Sequence, residues 1–155
     1  GLTARTNNKA EMEPDTSKIG VLAAQYWNNQ IAERFVERVN PGVTYAIYTE
    51  YESDENGMYT YFIGEAVKSH DKQDKEQFNM LTIPASDYQK FTAGPGKIPD
   101  IIISAWQNIW QMDSEAIGGD RAYFADFEVY DHRASDLNNA IVEIFIGLKN
   151  QGFKS

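Results

Sequence analysis

Glu128 and Glu143 each interrupt a run of residues that otherwise reads as a strand. Side chains alternate across a strand with a period of two. In residues 141–148 that rule puts Val142, Ile144, Ile146 and Leu148 on one face and Ile141, Glu143 and Phe145 on the other. In the preceding run it groups Phe124, Asp126, Glu128 and Tyr130. A carboxylate among apolar neighbours is costly unless it is paired or faces a cavity. Two such carboxylates on adjacent strands, ringed by aromatic side chains, make a site for an organic cation. The carboxylate supplies charge in a low-dielectric pocket, and each ring face adds roughly 0.5–2 kcal/mol of cation–π attraction. The competing reading is a half-exposed sheet whose glutamates face solvent.

Other chemistry is thinly represented. His70 falls in a charged run and His132 in a polar one, without the shared local spacing that metal or haem ligation needs. Asp131-His132-Arg133 reads as a surface turn. Gly94-Pro95-Gly96 precedes a helical pattern but lacks the lysine of a phosphate-binding loop and the dinucleotide spacing, so it too reads as a turn. No serine sits in a nucleophile-elbow motif. No catalytic residue, metal ligand or cofactor is assigned.

These side chains need a scaffold, and 155 residues supply one domain with a sizeable core. There are no cysteines, which removes disulfide frameworks, thiolate metal sites and cysteine nucleophiles and leaves the redox compartment open. A net charge of -9 argues against nucleic acid and anionic lipid as partners and favours a cationic ligand. No apolar run approaches the roughly 20 residues of a membrane span, and no signal-like segment opens the chain at Gly1. The chain holds 3 Trp, 9 Tyr and 8 Phe, a rich supply of pocket-wall and core side chains.

A short strand at residues 1–6 leads through polar Asn7, Asn8 and Lys9 to Pro14, Asp15, Thr16 and Ser17, which place a helix start. Ile19, Leu22, Ala23, Tyr26, Trp27, Ile31, Phe35 and Val39 then recur at helical spacing, predicting a helix over about 16–39. Runs 43–51 and 58–67, rich in Tyr, Thr and Ile, flank Ser53, Asp54, Glu55, Asn56 and Gly57, a hairpin signal. Residues 68–77 read as a solvated linker. Beyond them come a strand at 78–83, a bend at 84–86, an extended piece at 88–92, and a helix from Ile98, with Pro99 in its first turn, to near Met112. Strands at 124–130 and 141–148 close the chain. On burial habit, Tyr45, Tyr48, Tyr51, Tyr59 and Tyr61 are sheet-filling and the helix tryptophans are core, with one or two able to reach a cleft.

Several segments resemble a known family. They are Leu81-Thr82-Ile83-Pro84-Ala85-Ser86-Asp87-Tyr88-Gln89-Lys90-Phe91-Thr92, Ala105-Trp106-Gln107-Asn108-Ile109-Trp110, Asp126-Phe127-Glu128-Val129-Tyr130-Asp131 and Val142-Glu143-Ile144-Phe145-Ile146. Together they are similar to the GyrI-like effector-binding domain, found in AraC-type and MerR-type regulators and in stand-alone members, among them cation-binding modules on bacterial integron cassettes. The resemblance implies an α+β fold of two pseudo-twofold-related βαββ units, about 1–67 and 77–149, forming an antiparallel sheet with two long helices and a central groove. It also implies that Glu128 engages cationic aromatic ligands, with Glu143 matching a second strand glutamate of less uniform role. Two departures, Ile146-Gly147-Leu148 where relatives often carry proline and Ala23 where many stand-alone relatives have a tryptophan in the first helix, bear on groove shape.

The expectation is therefore a single domain over 1–155 that binds a small organic cation in the cytoplasm, as an effector or sequestration module without direct nucleic-acid or membrane contact. Glu128 is its anchor and Glu143 an auxiliary carboxylate. Tyr48, Tyr130, Phe145, Trp27, Trp106 and Trp110 are candidate walls. The alternatives are a hydrolase acting through Glu128, since some relatives are hydrolases, and a gyrase-inhibitor-like module with a protein partner. A homodimer fits any of these.

Overall fold

A computed structural model describes residues 1–54 and 56–149; Glu55 of the hairpin turn and residues 150–155 of the expected domain lie outside the described residues. The elements in chain order are β1 (Leu2–Thr6), α1 (Asn8–Glu11), α2 (Ile19–Asn28), β2 (Thr44–Thr49), β3 (Tyr59–Gly64), β4 (Asp87–Gly96), α3 (Asp100–Trp110), α4 (Ser114–Ile117), β5 (Arg121–Tyr130) and β6 (Ala140–Leu148). The strands form one six-stranded sheet in the order β1-β3-β2-β5-β6-β4. Every pairing in it is antiparallel. The fold is α+β, and α2 and α3 are its only helices of seven or more residues among the described residues.

Each helix buries its apolar stripe on its own part of the sheet. Tyr26 of α2 packs with Ile31, Phe35, Ala46, Tyr61 and Ile63. Trp106 and Ile109 of α3 pack with Ile117, Ile144, Ile146 and Leu148. Val142, Ile144 and Ile146 are wholly buried, as the alternation in the last strand requires. Tyr48 on β2 touches both clusters, so the strip of sheet around β2 and β5 lies where the two cores meet.

Four sequence expectations are corrected. The helix over 16–39 is ten residues long and ends at Asn28. Asn28-Asn29-Gln30 favours a stop, and Gln30 sits in the left-handed region at φ 51°, after which a 3-10 turn at Ile31–Arg34 carries Ile31 and ends at extended Phe35, while Val39 lies beyond it and is exposed. Its start is capped from a distance. Glu11, at the end of an unforeseen α1, accepts from Lys18 N at 2.9 Å and Ile19 N at 3.0 Å, so the oxygens of Asp15, Thr16 and Ser17 do not cap it. Residues 78–83 form no strand, although Phe78 is buried and Asn79 N donates to Gly1 O at 2.8 Å. Finally, Gly94-Pro95-Gly96 is no turn but the bulged end of β4, where the register to β6 shifts between Ala93 and Gly96. Gly94 has φ 95° and its missing Cβ leaves room for Ala140 O.

Candidate functional site

Between α2 and α3, over β2, β3 and β5, lies a groove of about 1200 Å3. Its floor is set by register. Tyr48 on β2 pairs with Tyr61 on β3 and Asp126 on β5, and Ala46 pairs with Glu128, so these residues share the helix-side face. Rings close the floor: Tyr48 lies 5.2 Å from Trp106, 5.4 Å from Tyr61 and 5.7 Å from Tyr59, between centroids.

Glu128 lies at the centre of this cluster and is 2% exposed. Its Oε2 accepts from Trp106 Nε1 at 2.7 Å and from Tyr48 Oη at 2.8 Å, and its Oε1 accepts from Tyr130 Oη at 2.7 Å. Burial raises its pKa above the ordinary carboxylate value, and the three donors offset part of that rise. Burial and the neighbouring Glu128 charge push Tyr48 and Tyr130 well above an ordinary phenol, so both remain donors at neutral pH. Glu128 forms no ion pair among the described residues.

Asp126, two residues earlier on the same face, is the contrast. It is fully buried, its Oδ2 accepts from Arg121 Nη2 at 2.8 Å and Tyr51 Oη at 2.5 Å, and its Oδ1 accepts from Gly147 N at 2.8 Å. A charged partner, Arg121, and two further donors balance it. Gly147 meets two demands there: a Cβ would stand 2.6 Å from Ala125 O, and a proline would have no N–H to give Asp126.

The structure brings six of the eight sequence-assigned side chains to the groove: Glu128, Tyr48, Tyr130, Trp27, Trp106 and Trp110. Trp27 and Trp110 are 49% and 38% exposed and stand on opposite helices, so neither is the core residue its helical stripe suggested. Glu143 and Phe145 are not among the groove's lining residues. Glu143 pairs with Val129, one register position from Glu128, and so points to the opposite face of the sheet. There Arg133 Nη1 lies 2.7 Å and Lys90 Nζ 3.5 Å from its carboxylate, and Arg133 holds its pKa below the ordinary range. Phe145 stacks on Phe127 at 4.9 Å on that face.

Tyr51, Tyr59, Tyr61 and Arg121 line the groove although the sequence reading left them out of it. Tyr59 and Tyr61 share parity on one strand, a signal that becomes readable once the hairpin register places Tyr61 beside Tyr48. Arg121 carries no such signal, because β5 begins three residues before the expected strand. Ala23 also lines the groove, so the small residue at that position widens it. Among the described residues, no group of three or more His, Asp or Glu side chains is placed to hold a metal ion, and no helix is long and apolar enough to cross a membrane.

The chain is similar to known proteins in sequence and in fold. The chain is 30% identical over 149 residues to YobU of Bacillus subtilis (strain 168), which bears the name of a transcriptional regulator; the match covers 96% of this chain and 90% of that one. Its fold is similar to that of the integron cassette protein VCH_CASS2 from the mobile metagenome of Vibrio cholerae, with a TM-score of 0.69 and 27% identity over 96% of this chain and 88% of the other. It is also similar in fold to SAV2435, whose structure holds tetraphenylphosphonium, with a TM-score of 0.68 and 16% identity over 97% and 87% of the two chains. Residues 1–148 match the Cass2 family model throughout, and the chain belongs to that family of integron-associated effector binding proteins.

Proposed function

We propose that this protein binds a small organic cation in the groove, with ionised Glu128 as its anchor. The observation that carries this reading is a buried carboxylate surrounded by neutral donors, with no counter-ion among the described residues, beside an Asp126 that has one. A ligand cation about 4 Å away supplies attraction of about 4 kcal/mol at an effective dielectric of 20. The rings of Tyr48, Trp106 and Tyr130 supply cation–π contacts. The half-exposed Trp27 and Trp110 give apolar area to cover at the mouth. Tetraphenylphosphonium, held by SAV2435, has the size and delocalised charge this groove suits.

In this reading residues 1–155 form one effector-binding domain. The order β1-β3-β2 and its counterpart β4-β6-β5, each with a helix after its first strand, support a reading of two pseudo-twofold-related halves with the ligand between them. The bound state is read by a separate protein or serves sequestration in the cytoplasm, with no direct contact to nucleic acid. Glu143, salt-bridged on the far face, supports that surface and does not touch the ligand. The raised pKa of Glu128 also suits general acid or base work, but among the described residues its hydrogen bonds come from Tyr48, Trp106 and Tyr130, so binding is the better-supported role.

A thermal-shift panel tests the proposal. Aromatic cations are expected to raise Tm in a concentration-dependent way, by about 2.7 kcal/mol of added stability at a hundredfold excess over Kd. Equal stabilisation by neutral and anionic analogues would contradict it.

A further inference from the structure

The groove is larger than a compact cation at Glu128 needs. Its volume of about 1200 Å3 exceeds the roughly 300–1,000 Å3 that holds a drug-sized ligand. Beyond Glu128 its wall continues through Tyr51 to Arg121, the first residue of β5. An irregularity in the strand brings Arg121 there. Arg121 pairs with Leu148 and Asp126 with Ile146, so the chain advances five residues on β5, from 121 to 126, against two on β6, from 148 to 146. The extra residues include Tyr123, a non-glycine residue in the left-handed region at φ 52°. Bulges are over-represented beside sites, where they re-aim side chains. Here the guanidinium of Arg121 lies 4.4 Å over the Tyr123 ring, which in turn stands 5.7 Å from that of Tyr51.

That guanidinium is only partly used. The Arg121 side chain is 8% exposed, and its Nη2 donates to Asp126 Oδ2 at 2.8 Å. Nε is enclosed without a partner, whereas Nη1 is not enclosed and has no hydrogen-bond partner among the described residues. With Nη2 occupied and Nε out of reach, Nη1 is the edge that Arg121 has to offer the groove. Asp126 already offsets the charge, so a ligand cation at Glu128 meets little repulsion from this side. Asp126 stands two residues from Glu128 on one face of β5, with Arg121 beyond it. This places an acceptor on Nη1 roughly 7–10 Å from the Glu128 carboxylate.

We propose that the groove takes a bipolar ligand, whose cationic aromatic head sits at Glu128 and whose other end is a carboxylate accepting from Arg121 Nη1. The inference rests on the cation reading of the groove and adds the far end of the ligand to it. An N–H of arginine donated to a carboxylate is a charge-assisted bond, among the stronger kinds.

The test titrates two salts into the protein by calorimetry. They are (4-carboxybutyl)triphenylphosphonium, whose arm ends in a carboxylate, and pentyltriphenylphosphonium, whose arm ends in a methyl group. The net charge of -9 disfavours an added carboxylate, so general electrostatics makes the pentyl compound the tighter binder. The proposal predicts the reverse, with the carboxylate compound at least about tenfold tighter. In 15N spectra of the wild type it is also expected to shift the amides of Arg121 and Tyr123, which the pentyl compound leaves in place. Arg121→Lys keeps a charge opposite Asp126 and loses the planar fork, and is expected to bring the two affinities within about twofold of each other. Equal or weaker binding of the carboxylate compound, beside saturable binding of the pentyl compound, would overturn this inference and leave the groove reading standing. A preference undiminished in a folded Arg121→Lys variant would also overturn it. Saturable binding of neither compound would overturn the groove reading and this inference with it.

Discussion

At the scale of single residues the molecule turns on how differently it treats its strand carboxylates. Asp126 is buried against Arg121, Glu143 is partly exposed against Arg133 and Lys90, and Glu128 is buried against donors that, among the described residues, are all neutral. Because burial raises the Glu128 pKa above the ordinary value near 4.3, the folded protein holds a proton there in a pH range where the unfolded chain has released it. The contribution of Glu128 to stability therefore falls as pH rises from the ordinary value through the raised one. On the proposed function, affinity for a cation is expected to rise across the same window, as the carboxyl ionises. Dissociation constants measured across that range are expected to show this slope in the wild type and none in Glu128→Gln; a pH-independent wild-type affinity would count against the anchor. Tyr48→Phe removes one donor from a buried charge and is expected to cost about 1.5–3 kcal/mol at neutral pH in urea unfolding, and to move the affinity midpoint to higher pH. An unchanged midpoint would show that the hydroxyl does not support the charge. Alternation along the last two strands made the unusual glutamates legible from sequence, and it correctly separated Glu143 from the core face of its own strand. It could not place Glu143 relative to Glu128, because that depends on cross-strand register, and Val129 rather than Glu128 is the residue paired with Glu143.

At the scale of elements, the positions of most strands were readable because Tyr, Thr, Ile and Val cluster in them, whereas the bounds of α2 were not. Its apolar stripe continues at helical spacing into Ile31 and Phe35, but Asn28-Asn29-Gln30 breaks the backbone, and Ile31 enters the core from a 3-10 turn and Phe35 from the extended residue that ends it. The expected strand at 78–83 had the right composition and found no place in the sheet, where β1 already pairs along β3. The α2 start depends on Glu11, whose carboxylate accepts from Thr6 Oγ1, Lys18 N and Ile19 N. Such a cap is invisible to a search of neighbouring residues. Glu11→Ala is expected to cost about 1–2 kcal/mol and to speed amide exchange in the first turn of α2, which carries Trp27 to the groove. Urea unfolding with hydrogen exchange checks both, and unchanged exchange at Ile19 and Leu22 would show that the cap is dispensable.

At the scale of the whole molecule, two cores under two helices leave a groove between them, and a net charge of -9 surrounds it. Acidity alone would attract cations of any kind to the surface. What the groove adds is a buried carboxylate inside an aromatic enclosure, and the proposed function rests on that enclosure selecting a large cation able to shed its water. Tetraphenylphosphonium and tetraphenylborate have nearly the same shape and opposite charge, so titrating each into the protein by calorimetry separates charge from shape. The account predicts saturable binding of tetraphenylphosphonium, none of tetraphenylborate, and loss of at least about 2 kcal/mol of the tetraphenylphosphonium affinity in a folded Glu128→Gln variant. Comparable binding of both ions, or an affinity for the cation that Glu128→Gln leaves unchanged, would contradict it.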